Sequence, residues 1–137
     1  MRTFVDTSAW VAIVDDSDKY HSEAKSHYLQ LLKGRTSLLT SNYVLTETYT
    51  WLRYHASHRY AVRFHQMVTS AEKLRTLEIL WVDSALADAA WEIFERYSNQ
   101  LFSFTDCTSF VLARRAKVKE VFAFDEDFAM MGFVMQP

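Results

Sequence analysis

Short apolar runs alternate with longer stretches whose apolar residues recur every three or four positions, as expected for strands that alternate with helices. The runs predict strands over residues 3–5, 37–40, 77–82, 121–124 and 133–135, the last a short edge strand. The longer stretches predict helices from residue 7, from about 17 to 32, from 42, over 58–73, from 84 and from 103. This alternation predicts an α/β fold in three layers, with a mostly parallel central sheet of about five strands flanked by helices.

Polar residues that favour helix starts mark several of these boundaries. Asn42 and Asp83 are predicted to cap the helices that follow them, and Ser103 to Asp106 resembles a capping box with Asp in place of Glu. In the helix after Asp83, residues 87, 90, 91 and 94 form one stripe that we expect to face the core.

Composition narrows the class of protein. A chain of 137 residues, half of them apolar, predicts one domain over 1–137 with a substantial core. The single cysteine, Cys107, excludes a disulfide framework and a zinc site built on paired thiolates. A net charge of −2 excludes a bulk polycation. No apolar stretch approaches the roughly 20 residues of a membrane span, and the chain opens without a signal-peptide pattern, so we expect a cytoplasmic protein without membrane contact.

Three aspartates occupy positions where α/β proteins bind ligands. Asp6 ends the first predicted strand, Asp125 lies at the end of the strand predicted over 121–124, and Asp106 lies in the first turn of a helix. Ligands of open parallel sheets bind beyond the carboxyl ends of the strands. Each aspartate taken alone is also explained by helix capping and by the helix dipole.

Glu47 adds a fourth carboxylate. Its helical neighbours Val44, Tyr43 and Trp51 are apolar or aromatic, so the carboxylate is costly to bury unless something neutralises it; the alternative is that it faces solvent. A cation shared with the three aspartates would neutralise it. A site made only of carboxylates selects hard cations such as Mg²⁺ or Mn²⁺, which activate water and stabilise a phosphodiester transition state.

Four motifs, in order along the chain, resemble those of PIN-domain ribonucleases, most closely the VapC-type toxins of type II toxin–antitoxin systems. They are Val5-Asp6-Thr7-Ser8-Ala9-Trp10, Val44-Leu45-Thr46-Glu47-Thr48, Ser103-Phe104-Thr105-Asp106-Cys107 and Phe124-Asp125-Glu126-Asp127-Phe128. The third is the most specific of them. The resemblance implies a doubly wound parallel sheet, metal-dependent cleavage of RNA by a metal-activated water, a homodimer and a neutralising antitoxin. It also implies that the catalytic, metal-binding residues are Asp6, Glu47, Asp106 and Asp125.

Other residues are assigned supporting roles by the same resemblance. Thr7, Ser8 and Thr105 are expected to support the site, although Thr7 and Ser8 are explained equally well as helix-start residues. Position 127 is often histidine in this branch of the family, whereas this chain has Asp127. That residue is either a fifth carboxylate for a second metal or an acidic residue in the first turn of a short helix, and we favour the second interpretation.

Basic and aromatic residues suggest surfaces for partners. Two groups of arginines are candidates for guiding RNA phosphates, with solvated helix faces as the alternative. They are Arg53, Arg59 and Arg63 on the middle helices, and Arg114 and Arg115 before the last long strand. Aromatic residues on more than one face of the helix that begins at residue 42 favour a homodimer, with packing inside one chain as the alternative. The alternative functions are a catalytically inactive PIN-fold interaction module and a PIN nuclease that processes RNA without an antitoxin.

Overall fold

The computed structural model describes residues 1–137 as five strands and seven helices. The strands are β1 (Arg2–Val5), β2 (Ser37–Ser41), β3 (Leu77–Leu80), β4 (Glu120–Phe122) and β5 (Val134–Gln136). The helices are α1 (Thr7–Val14), α2 (His21–Lys33), α3 (Asn42–His55), α4 (His58–Lys73), α5 (Ser84–Arg96), α6 (Phe104–Arg115) and α7 (Asp127–Met130). All strands are parallel and lie in the order β3-β2-β1-β4-β5. The predicted α/β fold is therefore confirmed. None of the helices is both long and apolar enough to cross a membrane.

Helices cover both faces of the sheet. Right-handed crossovers between parallel strands place α1 to α4 on one face and α5 to α7 on the other. On the first face the Trp10 indole of α1 donates a hydrogen bond to Thr40 Oγ1 at 3.1 Å. On the second face the rings of Phe110 (α6) and Phe128 (α7) meet edge to face, with centroids 5.1 Å apart. Helices cover both faces of the sheet, which is why residues in its middle strands, such as Phe4, Leu39 and Val121, are apolar and buried.

The direction of the chain across the sheet reverses between β1 and β4. From β1 the chain moves outward through β2 to β3, then crosses back to β4 and β5 on the other side. Val5 and Phe122 are register partners, and the Asp6 backbone N–H donates to the Phe122 carbonyl at 3.0 Å. A reversal of this kind opens a crevice beyond the carboxyl ends of the two strands. Asp6 lies at that crevice.

Helix α2 begins at His21, so the start predicted at about residue 17 is wrong. The Asp15 carboxylate accepts the Ser17 backbone N–H at 3.0 Å, and the Asp18 carboxylate accepts the Tyr20 N–H at 2.8 Å. Such local side-chain acceptors favour turns over a helix. Residues 15–20 therefore form a connection between α1 and α2.

Asn42 does not cap α3. The cap is Ser41, whose Oγ accepts the Val44 N–H at 3.0 Å, while Asn42 Oδ1 accepts the Val82 N–H at 2.8 Å. That contact takes Val82 out of the sheet, so β3 ends at Leu80 and not at the predicted residue 82. Helix α3 is thereby tied to the segment that follows β3.

Strand β4 ends at Phe122 instead of the predicted residue 124, because the Phe124 N–H donates to Ser8 Oγ at 3.0 Å and not to a neighbouring strand. The edge strand β5 starts and ends one residue later than predicted. The turn after β4 is therefore fixed against the start of α1.

The apolar stripe predicted for α5 is confirmed at Ala90, which is buried, and is wrong at Trp91 and Phe94. Leu86 and Ala90 form the buried side of this helix, whereas Trp91 is 52 % exposed and Phe94 is 39 % exposed. Their rings contact each other and Phe104, with centroids 5.4 to 6.5 Å apart. We call Trp91, Phe94 and Phe104 the α5 aromatic face.

Candidate active site

Asp6 is both a helix cap and a member of the site. Its Oδ2 accepts hydrogen bonds from the Ser8 backbone N–H at 3.3 Å and from the Ser8 hydroxyl at 2.9 Å, which caps α1. Its Oδ1 is buried and has no hydrogen-bond partner. Burial raises the pKa of Asp6 to about 6, and the charge of Glu47 adds to the shift. One oxygen is therefore committed to the fold and the other is free for a ligand.

Asp106 also uses one carboxylate oxygen to cap a helix. The Ser103 backbone N–H donates to Asp106 Oδ2 at 3.0 Å, and the Asp106 N–H donates to Ser103 Oγ at 3.0 Å, which completes the predicted capping box. Burial raises the pKa of Asp106 to about 7, with further contributions from the charges of Asp6, Asp125 and Glu47. Capping and ligand binding are thus compatible explanations of this residue.

Asp125 and Asp127 lie in the turn that follows β4. The Asp127 backbone N–H donates to Asp125 Oδ1 at 3.0 Å. One oxygen from each of Asp106, Asp125 and Asp127 lies within 4.8 Å of the other two. Burial, followed by the charge of Asp125, raises the pKa of Asp127 to about 6. Asp127 is the first residue of α7, as expected, and its carboxylate also lies beside the other two.

The four acidic residues predicted for the site line one pocket. Its volume is about 520 Å³, and Asp6, Glu47, Asp106 and Asp125 all contribute to its wall. Glu47 is half-buried on α3, and its charge raises the pKa of both Asp6 and Asp106. The carboxyl end of β1, the turn after β4, and helices α3 and α6 thus bring these carboxylates to one place.

The residues in the pocket fit a hard divalent cation. Its ionisable ligands are carboxylate oxygens, the donors that Mg²⁺ and Mn²⁺ prefer. Asp6 Oδ1 is a buried acceptor without a donor, which is costly unless a ligand satisfies it. The raised pKa values of Asp6 and Asp106 show that the pocket disfavours several negative charges at once. A bound cation removes both penalties.

Among the residues predicted to support the site, Ser8 has the most direct contacts. Its hydroxyl donates to Asp6 Oδ2 and accepts the Phe124 N–H, which links the ends of β1 and β4. Thr7 lines the pocket, and its Oγ1 lies 3.5 Å from the Val44 carbonyl. The Thr105 side chain makes no hydrogen bond to a site carboxylate; its carbonyl accepts the Thr108 hydroxyl.

The basic residue in the pocket wall, Lys19, was missed by the sequence analysis. Its Nζ lies 4.9 Å from the centre of the Tyr20 ring, and that ring stacks on Phe124 at 4.4 Å with 4° between the planes. Phe124 directly precedes Asp125. The pattern along the chain placed Lys19 inside the helix predicted from about residue 17, so nothing in it indicated a residue in the wall of a pocket.

The five candidate RNA-binding arginines lie outside the acidic pocket. Arg114 ties α6 to the end of α7, because its Nη2 donates to the Met131 carbonyl at 2.9 Å. Arg63 lies over the Tyr60 ring, and Arg53 pairs with His58. The remaining two, Arg59 and Arg115, are exposed.

Comparison with known proteins agrees with this architecture. A profile of the PIN domain matches residues 3–134. The chain is 36 % identical over 132 residues to the 23S rRNA-specific endonuclease VapC20 of Mycobacterium tuberculosis, covering 96 % of this chain and 95 % of the relative. The crystal structure of M. tuberculosis VapC20, described as a Sarcin-Ricin loop cleaving toxin, superposes with a TM-score of 0.82 at 35 % identity and 96 % coverage of both chains.

More distant structures share the fold alone. VapBC2 from Rickettsia felis, solved with a promoter DNA fragment, matches with a TM-score of 0.71 at 14 % identity, covering 99 % of this chain and 98 % of that chain. The profile match over nearly the whole chain, together with the relative at 36 % identity, establishes the family: this chain belongs to the PIN domain family.

Proposed function

We propose that this protein is a divalent-cation-dependent endoribonuclease, the toxin of a toxin–antitoxin pair, and that its substrate is 23S ribosomal RNA. The observation that carries the proposal is the convergence of Asp6, Glu47, Asp106 and Asp125 on one pocket at the reversal of the sheet. The identity of 36 % to an endonuclease specific for 23S rRNA, over 96 % of this chain, supports the substrate.

The chain's own residues position the donors before any ligand binds. The Ser8 hydroxyl fixes Asp6, the capping box fixes Asp106, and the Asp127 N–H fixes Asp125. Rotamers that are locked in this way favour a single coordination geometry. Mg²⁺ or Mn²⁺ bound by these carboxylates would supply Lewis acidity, lowering the pKa of a water and stabilising charge on the phosphodiester. Asp127, whose carboxylate lies beside those of Asp106 and Asp125, would add a further ligand.

Lys19 has a different role in this proposal, which is to bind the substrate backbone. A pocket of carboxylates repels an RNA backbone, and Lys19 is the cationic side chain in its wall. Its ammonium group would bind a phosphate next to the scissile bond, while the Tyr20 and Phe124 rings restrict where it can lie. We therefore assign Lys19 to substrate positioning.

The partners in this proposal are an antitoxin protein and a second copy of the chain. The likeness to a VapC toxin supports the antitoxin. Among the aromatic residues of α3, Tyr49 packs on the buried Phe64 within the chain, whereas Trp51 and Tyr54 are exposed and are available to a partner. The α5 aromatic face also supports the dimer, since large exposed apolar patches mark interaction surfaces. The proposed location is the cytoplasm, where the proposed substrate lies.

Cleavage of purified 23S rRNA tests the function. The protein should cut this RNA with added Mn²⁺ or Mg²⁺ and stop when a chelator is added. Asp106→Asn should lose at least about 100-fold in rate, because a cation ligand is removed. Asp83→Asn is the matched control: this aspartate caps α5 away from the pocket and should leave the rate unchanged.

Three results would contradict the proposal. Cleavage that continues in chelator refutes the cation requirement, and parental rates in Asp106→Asn refute the site. No cleavage of any RNA with either cation favours the inactive interaction module. Cleavage without growth arrest when the protein is expressed alone favours an RNA-processing nuclease that needs no antitoxin.

A further inference from the structure

A basic cleft lies between α3 and α4, separate from the acidic pocket. Its volume is about 580 Å³, and no aspartate or glutamate lines it. Residues 48–71, which form most of the two helices, contain three arginines, three histidines and no acidic residue. The whole chain, in contrast, carries 17 acidic and 15 basic side chains. This stretch therefore carries net positive charge, although the chain as a whole is weakly negative.

Hydrogen bonds hold the donors of the cleft in place. Arg53 Nη1 lies 2.7 Å from His58 Nδ1. Because a guanidinium group only donates, His58 Nδ1 must accept, and the ring proton of neutral His58 is then on Nε2. The Tyr49 hydroxyl lies 2.8 Å from His65 Nδ1. Arg53 and His58 thus offer N–H groups, and phosphate oxygens, which only accept, complement them.

An exposed aromatic ring lies in the same cleft. Tyr54 is 79 % exposed, although it lines the cleft next to Arg53. Ala61 and Val62 supply the apolar part of the wall. Donors for phosphates beside a ring that can stack on a base are the two features that single-stranded nucleic-acid sites combine. An acidic peptide would satisfy Arg53 and leave the Tyr54 ring without a partner.

Helix α3 joins the cleft to the acidic pocket. Glu47 and Trp51, four residues apart, line the pocket, whereas Tyr49 and Arg53, also four residues apart, line the cleft. The six residues from Glu47 to Arg53 rise about 9 Å along the helix. At the roughly 3.4 Å rise of a stacked strand, this axial distance alone corresponds to at least about two nucleotides.

We propose that the cleft between α3 and α4, walled by Arg53, Tyr54 and His58, is a second RNA-binding site that holds the substrate strand a few nucleotides from the scissile bond. The proposal rests on the ribonuclease function proposed above. Arg53 contacts a phosphate, and Tyr54 stacks on a base. The site adds affinity for longer RNA without taking part in the chemistry.

Binding in chelator tests the cleft without requiring cleavage. The probe is a fluorescein-labelled single-stranded RNA of 16 nucleotides, followed by anisotropy. Arg53→Gln should bind about tenfold more weakly and reduce the slope of log affinity against log salt by about 0.7. Tyr54→Ala should bind about fivefold more weakly with an unchanged salt slope. Both side chains are exposed, so both variants should fold.

The matched control is Lys73→Gln, which removes one positive charge from the exposed far end of α4, about 22 Å from His58 along the helix. It should bind RNA like the parent. If it weakens binding as much as Arg53→Gln does, a diffuse positive field and not the cleft explains the affinity. Parental binding by both Arg53→Gln and Tyr54→Ala also overturns the proposal.

Cleavage separates this proposal from the function on which it rests. With Mn²⁺, Arg53→Gln should raise KM for the 16-nucleotide RNA about tenfold at unchanged kcat, and cut a four-nucleotide RNA at the parental rate. Failure of the parent to cut any RNA refutes the nuclease, and the anisotropy result still decides the cleft. If Arg53→Gln binds RNA like the parent but no longer binds a polyglutamate probe, the cleft is assigned to an acidic protein partner instead.

Discussion

Replacing Asp6 with asparagine should stabilise the metal-free protein at pH 8. The native carboxylate is buried, Glu47 lies near enough to repel it, and Oδ1 has no hydrogen-bond donor. Asparagine is about as good a helix cap as aspartate, so its amide oxygen can keep the Ser8 hydrogen bonds that Oδ2 accepts. The substitution therefore removes a buried charge while the start of α1 is preserved.

The raised pKa of Asp6 sets the size and the sign of the effect. The folded pKa is about 6 and the ordinary value is 3.8, a difference of about two units, or about 3 kcal/mol. The folded state binds this proton more tightly than the unfolded state, so parental stability falls as pH rises from about 4 to about 6. The gain from Asp6→Asn is then about 3 kcal/mol at pH 8 and under about 1 kcal/mol at pH 4.

Thermal unfolding in chelator measures this gain. For 137 residues the unfolding entropy is about 0.3 kcal/mol/K, so about 3 kcal/mol corresponds to about 10 °C in Tm. Asp83→Asn, at the exposed cap of α5, should leave Tm nearly unchanged at both pH values. Added Mn²⁺ should stabilise the parent more than Asp6→Asn, because the variant lacks a ligand.

The reasoning fails if Asp6→Asn melts below the parent in chelator at pH 8. That result would mean that the cap contribution of the carboxylate exceeds its burial penalty. A gain of equal size at pH 4 and pH 8 would also refute the argument, since a charge effect must disappear when the carboxyl is protonated in both states.

Three further predictions concern the substrate, pH and assembly. Lys19→Gln should lower kcat/KM for 23S rRNA about tenfold without weakening Mn²⁺ binding. The control Lys33→Gln, at the far end of α2 and about 20 Å away along that helix, should match the parent. Equal kinetics in the two variants would exclude a role for Lys19. The cleavage rate should rise between about pH 5 and 8, because Asp6 and Asp106 must ionise to hold the cation. A rate that falls over this range would contradict the assignment. Trp91→Glu should lower the light-scattering mass from that of a dimer to 16.1 kDa; a parent already at 16.1 kDa would disprove the dimer.

Periodicity along the chain was enough to predict the fold class. A helix over 58–73 and a strand that begins at residue 77 follow from apolar spacing that depends only on neighbouring residues. The carboxylates of the site were also predictable, because parallel strands align their carboxyl ends and Asp6 and Asp125 follow two such strands. Local capping chemistry similarly predicted the box at Ser103 and Asp106.

Contacts between distant segments decided the features that the pattern could not predict. Strand β4 stops early because Ser8, 116 residues away, takes the Phe124 N–H, and β3 stops early because Asn42 takes the Val82 N–H. Trp91 has the helical spacing of a core residue, yet it is 52 % exposed, and its ring lies against Phe94 and Phe104 instead of inside the core.

For the candidate site too, some features follow from the sequence and others only from the tertiary structure. Amino-acid type and local sequence determined which carboxylates were available and which of them also cap helices. Only the tertiary structure decided that Lys19 lies in the same wall as those carboxylates, and that Arg53 and Tyr54 share a separate cleft. The physical reason is that strand and helix periodicities depend on neighbours along the chain, whereas a pocket depends on which distant side chains burial brings together.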